Sequence, residues 1–200
     1  MIITIDGISC QGKSFIGRIL ANELGIEFLS TGKIVRYVAY IYSIIRTSEK
    51  NSQQLLNEAV EIMKHTEIKS IVKCPYLNIE KTEKAMKIAA EYPYVFDEVV
   101  KVIKNYALNR DIVLDGRFTF LLFPDAYRNY YFVSSMQRRI ALISKAEQMS
   151  YDEAIQYITF RDSFEKHYDI PEYVKVVHLD EYASSNEIME FLKNDVRGDG

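Results

Sequence analysis

Residues 7–14 follow the pattern G-x-x-x-x-G-K-[ST], which is typical of loops that bind phosphate. An apolar, β-branched run at residues 2–5 precedes this segment, and a helical pattern of apolar residues follows it and ends at Gly25. A strand before the loop and a helix after it are the context in which such a loop binds a polyphosphate. These flanking elements disfavour the alternative, a chance match in a glycine-containing turn. The sequence therefore predicts a nucleoside triphosphate site.

The residue types within this phosphate loop indicate how it would bind its ligand. Gly7 and Gly12 allow backbone conformations and a close approach that a Cβ atom would prevent. The Lys13 ammonium can bridge the β- and γ-phosphates, and the Ser14 hydroxyl can ligate Mg²⁺. We predict nucleotide contacts from Gly7, Ser9, Cys10, Gln11, Gly12, Lys13 and Ser14.

Length and composition limit the classes of protein to consider. Two hundred residues suit one domain with room for a small inserted lobe, and 48% apolar with 26% charged residues is ordinary for a globular protein. A net charge of −3 argues against general nucleic-acid binding. No apolar stretch is long enough to span a bilayer, and no charged-then-apolar leader precedes the first strand. We expect a cytoplasmic monomer without membrane or nucleic-acid partners.

The cysteines and histidines do not predict a metal site. Cys10 and Cys74 lack metal-ligand spacing, and the three histidines are scattered. Cys10 lies inside the phosphate loop, where a redox switch is one interpretation and a small side chain that fills a loop position is the favoured one. His178 falls in a predicted buried strand, where a structural role is expected.

Strand and helix patterns alternate along the chain, which predicts an α/β fold with a parallel sheet covered on both faces. Five strands are predicted near residues 2–5, 26–29, 111–115, 130–133 and 174–179. Residues 47–92 contain helical stretches and no long strand, which indicates a mostly helical insertion. Ser150-x-x-Glu153 is a capping box that predicts a helix running to about residue 168.

Several short motifs, in this order, resemble those of bacterial cytidylate kinases across nearly the whole chain. They are Ile3-Thr4-Ile5-Asp6-Gly7 with the phosphate loop, Thr31-Gly32 with Arg36, Leu114-Asp115-Gly116-Arg117, Phe123-Pro124-Asp125-Ala126 and Arg161-Asp162. The resemblance implies a single P-loop kinase domain built as a three-layer sandwich around a central five-stranded parallel sheet. It implies a core (1–46, 93–133 and 161–200), an acceptor-binding insertion (about 47–92) and a short lid (about 134–160).

The same resemblance implies transfer of the γ-phosphoryl group of ATP, with Mg²⁺, to the phosphate of a nucleoside monophosphate. Arginine suits this chemistry because its guanidinium stays charged and makes paired hydrogen bonds to phosphate oxygens. The family implies catalytic roles for Lys13, Asp115, Arg117 and Arg161, magnesium binding by Ser14 and Asp115, and packing of Arg138 against the adenine. It implies acceptor binding by Thr31, Arg36, Tyr94, Arg117, Phe118, Arg161, Glu165 and Tyr168. Asp6 could serve the magnesium site or have a structural role.

The chain departs from the family at positions that recognise the base or sugar. Phe118 replaces an aspartate, Tyr94 an arginine, Glu165 an aspartate and Tyr168 an arginine. The phosphate-binding set is therefore retained while the base-recognising set changes, which predicts altered acceptor specificity. The aromatic replacements could stack on a different ring or close a more apolar pocket.

The lid departs from the family as well. An arginine pair expected one helical turn after Arg138 aligns with Ala141 and Leu142, and the ordinary interpretation of Arg139 and Lys145 is a solvated helix face. Loss of one such arginine costs about 10³-fold or more in rate in other phosphotransferases.

Three hypotheses remain open at the level of sequence. The leading one is a kinase for (d)CMP or a modified pyrimidine nucleotide. The second keeps the fold but changes the acceptor to another small molecule of specialised metabolism, and the third is a nucleotide-binding sensor without turnover. A kinase for nucleic-acid ends is disfavoured because the chain is acidic.

Overall fold

The computed structural model of this chain describes residues 1–47, 49–163 and 169–198. The chain forms two compact units, one made of Met1–Phe28 with Arg110–Gly200 and the other of Leu29–Asn109. Five strands form a parallel sheet with helices on both sides, in the order β2–β3–β1–β4–β5. The strands are β1 (Ile2–Asp6), β2 (Glu27–Ser30), β3 (Ile112–Asp115), β4 (Arg128–Val133) and β5 (Lys175–His178). The predicted α/β P-loop kinase fold is confirmed.

The centre of the sheet follows from the sequence of its strands. β1 lies between β3 and β4, with Ile3 in register with Val113 on one side and with Arg128 on the other. Residues 3–6 of β1 and all of β3 are buried, as expected for parallel strands that are covered on both faces. Ile3 and Ile5 pack with Leu20 of the following helix and with Tyr130 and Phe132 of β4 in the core of the first unit.

Glycine and serine caps define several helices of the first unit. The first helix ends at Gly25, whose left-handed backbone lets its N–H donate to the carbonyls of Ala21 and Asn22. The predicted capping box is present, because the Ser150 hydroxyl accepts from the Glu153 N–H and the Glu153 carboxylate accepts from the Ser150 N–H at 2.8 Å. The helices are α1 (Lys13–Leu24), α7 (Thr119–Leu122), α8 (Met136–Glu147), α9 (Tyr151–Asp162) and α10 (Ser185–Arg197), with a 3₁₀ turn at Leu179–Glu181.

The second unit is helical and has its own core. It contains α2 (Gly32–Ile45), α3 (Ser52–Lys64), α4 (Ile68–Lys73), α5 (Glu80–Ala90) and α6 (Pro93–Ala107). α2 packs against α3 and α5, and α3 packs against α6. The ammonium of Lys64 on α3 lies 2.6 Å from the carboxylate of Glu98 on α6. The insertion and lid boundaries at 47–92 and 134–160 stay predictions.

Three details differ from the sequence expectations. The fifth strand ends at His178, and this histidine is exposed, so the prediction of a buried histidine was wrong. α4 and α7 were not predicted, because six and four residues are too short for a helical period to be visible. α9 ends at Asp162 with Ser163 as its C-cap, and residues 164–168 of the predicted helix lie outside the described residues. None of the helices formed by the described residues is long and apolar enough to cross a membrane.

Candidate phosphoryl-transfer site

The phosphate loop has a backbone that only glycine accommodates at its first position. Gly7 has φ of 137°, and a Cβ atom there would lie 2.5 Å from the Phe132 carbonyl oxygen and 2.4 Å from Gln11 Oε1. Gly12 has φ of 79° and caps α1, which begins at Lys13. The loop is thus pressed against the end of β4 and leads directly into a helix N-terminus, the arrangement that binds anions in other proteins.

The polar residues of the loop differ in their burial, and Ser14 is exposed. Ser9 and Gln11 are buried, and Lys13 Nζ donates to the Ile8 carbonyl. Cys10 has φ of 64°, an uncommon left-handed conformation for a residue with a side chain. Burial raises the pKa of the Cys10 thiol above its ordinary value, against the opposing effects of Arg139 and Arg161. A higher pKa means less thiolate, which favours a packing role over a redox role.

The end of β3 carries Asp115 and Arg117 to the phosphate loop. Asp115 is buried, and the Gly116 N–H donates to the Ile5 carbonyl at 3.1 Å. Arg117 Nη2 then donates to the Ser9 hydroxyl at 2.8 Å. The predicted acceptor-side arginine and the predicted donor-side loop are therefore within hydrogen-bond distance of each other, and both belong to the first unit.

Asp6, at the end of β1, has a structural role. Its carboxylate accepts from the Thr119 N–H at 2.7 Å, the Thr119 hydroxyl at 2.6 Å and the Phe120 N–H at 2.9 Å. These bonds hold the start of α7, which directly follows Phe118. Burial raises the pKa of the Asp6 carboxyl to about 6, even though the three hydrogen bonds lower it. The structural alternative for Asp6 is the one that the contacts support.

The Phe123-Pro124 motif is also fixed by a buried network. The Thr4 hydroxyl donates to Asn129 Oδ1 at 2.6 Å, and these residues are in register on β1 and β4. Asn129 Nδ2 donates to the carbonyls of Phe123 and Pro124 at 3.3 Å. This motif therefore positions the chain between α7 and β4.

Arg138 and Arg139 are neighbours on α8 with different surroundings. Arg138 donates to the carbonyls of Leu179 and Tyr182, which follow β5. Packing of Arg138 against an adenine stays a prediction. Arg139 is only 3% exposed, so the interpretation of this residue as part of a solvated face was wrong. Lys145 is exposed, as expected.

Arg139 joins three parts of the first unit. Its Nη1 and Nη2 donate to the two carboxylate oxygens of Asp162 at 2.9 and 2.6 Å, and its Nε donates to the Ser9 carbonyl at 2.9 Å. Sequence reasoning missed this pair because it links α8 to the end of α9. Arg161, the residue before Asp162, donates to the Tyr157 hydroxyl at 3.3 Å, and its catalytic role stays a prediction.

The second unit holds the other predicted acceptor residues. Arg36 is buried on α2, where its Nη1 donates to the Leu77 carbonyl at 3.0 Å and to the Glu83 carboxylate at 2.5 Å. Thr31 is buried at the start of α2. Tyr94 makes an edge contact with Tyr92, their ring centroids 6.3 Å apart, and burial raises the pKa of the Tyr94 hydroxyl. Glu83 was not predicted from the sequence.

Two predicted acceptor residues, Glu165 and Tyr168, lie outside the described residues.

The residues present fit a magnesium ion that arrives with a polyphosphate, because the side chains of Ser14 and Asp115 offer oxygen ligands. No group of three or more histidine, cysteine, aspartate or glutamate side chains among residues 1–47, 49–163 and 169–198 could hold a metal by itself. Ser14 and Asp115 remain the predicted protein partners of such an ion, with phosphate oxygens completing its ligands.

Comparison with known proteins places these features in a family. The model of the cytidylate kinase family matches residues 3–187. A cytidylate kinase from Fervidobacterium nodosum is 31% identical over an alignment covering 94% of this chain and 90% of the relative. A cytidylate kinase from Thermodesulfovibrio yellowstonii is 26% identical, with 80% of each chain covered.

Solved structures support the fold. An uncharacterized protein from Eubacterium ventriosum has a TM-score of 0.58 at 10% identity and covers 99% of this chain and 98% of its own. TT1252 from Thermus thermophilus has a TM-score of 0.53 at 14% identity, with 100% and 97% covered. At these identities the likeness concerns the fold alone.

Proposed function

Because this chain belongs to the cytidylate kinase family, and is thus a nucleoside monophosphate kinase-like phosphotransferase, we propose that it transfers the γ-phosphoryl group of Mg·ATP to (d)CMP or a modified pyrimidine nucleotide. Transfer of a phosphoryl group depends mainly on positioning and on stabilisation of negative charge. In this proposal, a preformed loop and several arginines position the substrates and stabilise the negative charge.

The donor would bind at the phosphate loop. Gly7 lets the loop pack against β4, Gly12 has the left-handed backbone that leads into α1, and the N-terminus of α1 at Lys13 would offer backbone N–H groups to a polyphosphate. Magnesium, held by Ser14, Asp115 and phosphate oxygens, would supply charge neutralisation at the transferred group. Lys13 would exchange the Ile8 carbonyl for phosphate oxygens when the nucleotide is bound.

One observation carries the proposal, namely the hydrogen bond from Arg117 to the Ser9 hydroxyl in the phosphate loop. A guanidinium at this position has a donor-binding loop on one side and directly follows the carboxyl end of a strand, where ligands bind in α/β sheets. This position supports a role for Arg117 in binding the group in transfer, and the proposal has Arg161 and Arg36 add positive charge.

The acceptor's base would meet a different surface from that of the family. Phe118 and Tyr94 replace charged residues, and Tyr94 already packs edge-on against Tyr92. Aromatic surfaces favour stacking and apolar contact over hydrogen-bonded recognition of a base edge. The same substitutions favour, as a second candidate, a phosphorylated acceptor other than a standard nucleotide.

The test is ADP formation from Mg·ATP with CMP, dCMP, UMP, dTMP, AMP and GMP in turn, against a blank without acceptor. Strong turnover with CMP or dCMP is expected. If none of the six nucleotides stimulates ADP formation although ATP binding is measured, the proposal is contradicted, and the second candidate or a nucleotide-binding sensor is favoured.

Two variants test the assigned roles. Lys13→Ala should abolish turnover with an unchanged circular dichroism spectrum, and full activity would refute the donor site. Arg117→Ala should raise the KM of the acceptor or lower kcat by about 10²-fold or more, as loss of a phosphate-stabilising group does elsewhere, with little effect on the Kd of ATP. Equal losses for both substrates would refute the role of Arg117.

A further inference from the structure

The helix pair α8–α9 contacts the phosphate loop at Ser9 and Cys10. Arg139 on α8 uses all three of its nitrogens on protein acceptors, Nε on the Ser9 carbonyl and the other two on Asp162. Its side chain is 3% exposed, whereas the side chain of Asp162 at the end of α9 is 31% exposed. Because Arg139 is buried and each of its nitrogens already donates to a protein acceptor, its effect on the phosphate loop runs through the Ser9 carbonyl.

The bond to the Ser9 carbonyl fixes one particular peptide group. A trans peptide is planar, and its C=O and N–H point in opposite directions. Holding the Ser9 oxygen toward Arg139 therefore directs the Cys10 N–H away from α8. Cys10 also has φ of 64°, which costs free energy and persists only when the surroundings enforce it. Arg139 supplies part of that enforcement.

A second contact acts at the same loop position. The Cys10 side chain packs against an apolar cluster of α8 and α9, whose buried members are Ile140, Ala154 and Ile158. This packing and the Arg139 hydrogen bond both come from the α8–α9 pair, and together they constrain Ser9 and Cys10. The side chain of Ser9 is meanwhile held by Arg117.

We propose that Arg139, oriented by Asp162, is a positioning residue that sets the Ser9–Cys10 peptide so that the Cys10 N–H faces the donor phosphates. This inference rests on the proposed function only in taking the loop as the donor site. Lysine would not replace Arg139 fully, because a single ammonium cannot bridge both carboxylate oxygens and the carbonyl in one plane.

The experiment compares Arg139→Ala, Arg139→Lys and Asp162→Asn in a Cys74→Ser background, which leaves Cys10 as the only thiol. The matched control is Lys145→Ala, which removes an exposed cation from the same helix. Two quantities are measured at a temperature where circular dichroism shows every variant folded. They are the Kd of a fluorescent, non-hydrolysable ATP analogue and the rate at which a maleimide labels Cys10.

Arg139→Ala should raise the Kd of the analogue about 10-fold or more and speed Cys10 labelling by a similar factor, as expected when a buried charged hydrogen bond is lost. Asp162→Asn, a milder change, should shift both in the same direction, and Arg139→Lys should restore only part of each. Lys145→Ala should match the parent. Saturating analogue should slow labelling in the parent.

The inference is overturned if Arg139→Ala and Asp162→Asn both keep the Kd and the labelling rate within twofold of Lys145→Ala. Neither readout needs an acceptor. If no acceptor in the panel leads to ADP formation and Arg139→Ala still raises the Kd of the analogue, the inference is supported while the proposed function fails. If CMP or dCMP is phosphorylated and the variants leave the Kd of the analogue unchanged, the proposed function is supported while the inference fails.

Discussion

Asp6 is the last residue of the central strand, and burial and hydrogen bonding shift the pKa of its carboxyl group in opposite directions. Burial raises its pKa from 3.8 to about 6, while Thr119 and Phe120 donate three hydrogen bonds to it. Because the folded protein holds this proton more tightly than the unfolded chain, the group's contribution to stability is complete below pH 3.8. It is lost as the pH rises through about 6.

The corresponding prediction compares the wild type with Asp6→Asn, which cannot titrate. Relative to the variant, the wild type should lose about 2 kcal/mol in its free energy of unfolding between pH 4 and pH 7. Urea unfolding at half-unit pH steps measures this difference. Asp125→Asn, at an exposed position in the same unit, serves as control. Parallel stability profiles for Asp6→Asn and the wild type would contradict the prediction.

Gly7 gives a second prediction at the scale of single residues. Alanine there would place Cβ against the Phe132 carbonyl and Gln11, at a φ of 137° that side chains rarely adopt. Since the clashing carbonyl belongs to a core strand, the loop must move instead. Gly7→Ala should therefore lower the free energy of unfolding by about 1–3 kcal/mol and abolish binding of the ATP analogue.

Gly32→Ala is the matched control. A Cβ at Gly32, in the first turn of α2, meets nothing within 4 Å. Alanine is a better helix former than glycine, so this change should be neutral or stabilising by up to about 1 kcal/mol. Thermal unfolding and titration with the analogue distinguish the two variants. Equal behaviour of both would show that the loop tolerates a side chain at Gly7.

At the scale of elements, α2 and α5 share a partly buried charge pair. Arg36 on α2 donates to Glu83 in the first turn of α5, and the two side chains are 11% and 23% exposed. An acceptor phosphate that binds Arg36, as the family implies, must share the guanidinium with this carboxylate. Under the proposed role of Arg36, Glu83 would compete with the acceptor for this guanidinium.

Glu83→Gln should accordingly lower the KM of the preferred acceptor about threefold to tenfold, because a charged competitor becomes a neutral one. The KM of ATP should not change. Glu80→Gln is the control, since Glu80 lies in the same helical turn but is exposed and pairs with Lys84. Initial rates over a matrix of both substrates separate the two constants. A raised acceptor KM would mean that Glu83 orients Arg36 for binding.

Sequence patterns predicted those elements whose signal is local. β1, the phosphate loop and α1 follow from ten to twenty consecutive residues, and the capping box at Ser150 and Glu153 needs only four. The pairs Arg36–Glu83 and Arg139–Asp162 were invisible, because their members are 47 and 23 residues apart. A charged side chain that follows another arginine on a helix is ordinarily solvated, so only tertiary packing reveals the burial of Arg139.

At the scale of the whole molecule, cationic side chains are largely offset by carboxylates. The chain has 25 lysines and arginines against 28 aspartates and glutamates. Many of its cations lie in ion pairs within their own unit, among them Arg36–Glu83, Lys64–Glu98, Arg128–Asp195, Arg139–Asp162 and Lys193–Glu23. Each pair removes a charge that a nucleic-acid backbone would otherwise bind.

We therefore predict that oligonucleotides are neither bound nor phosphorylated, since nonspecific affinity comes from release of counterions by unpaired cations. Fluorescence anisotropy of a labelled single-stranded 12-mer should show no saturation at 50 mM salt, even though the preferred mononucleotide turns over in the same buffer. A 5′-hydroxyl and a 5′-phosphate oligonucleotide should both fail as acceptors. Saturable binding that weakens about tenfold or more between 50 and 200 mM salt would instead reveal a cationic surface, and the enzyme would act on polymer ends rather than on free nucleotides.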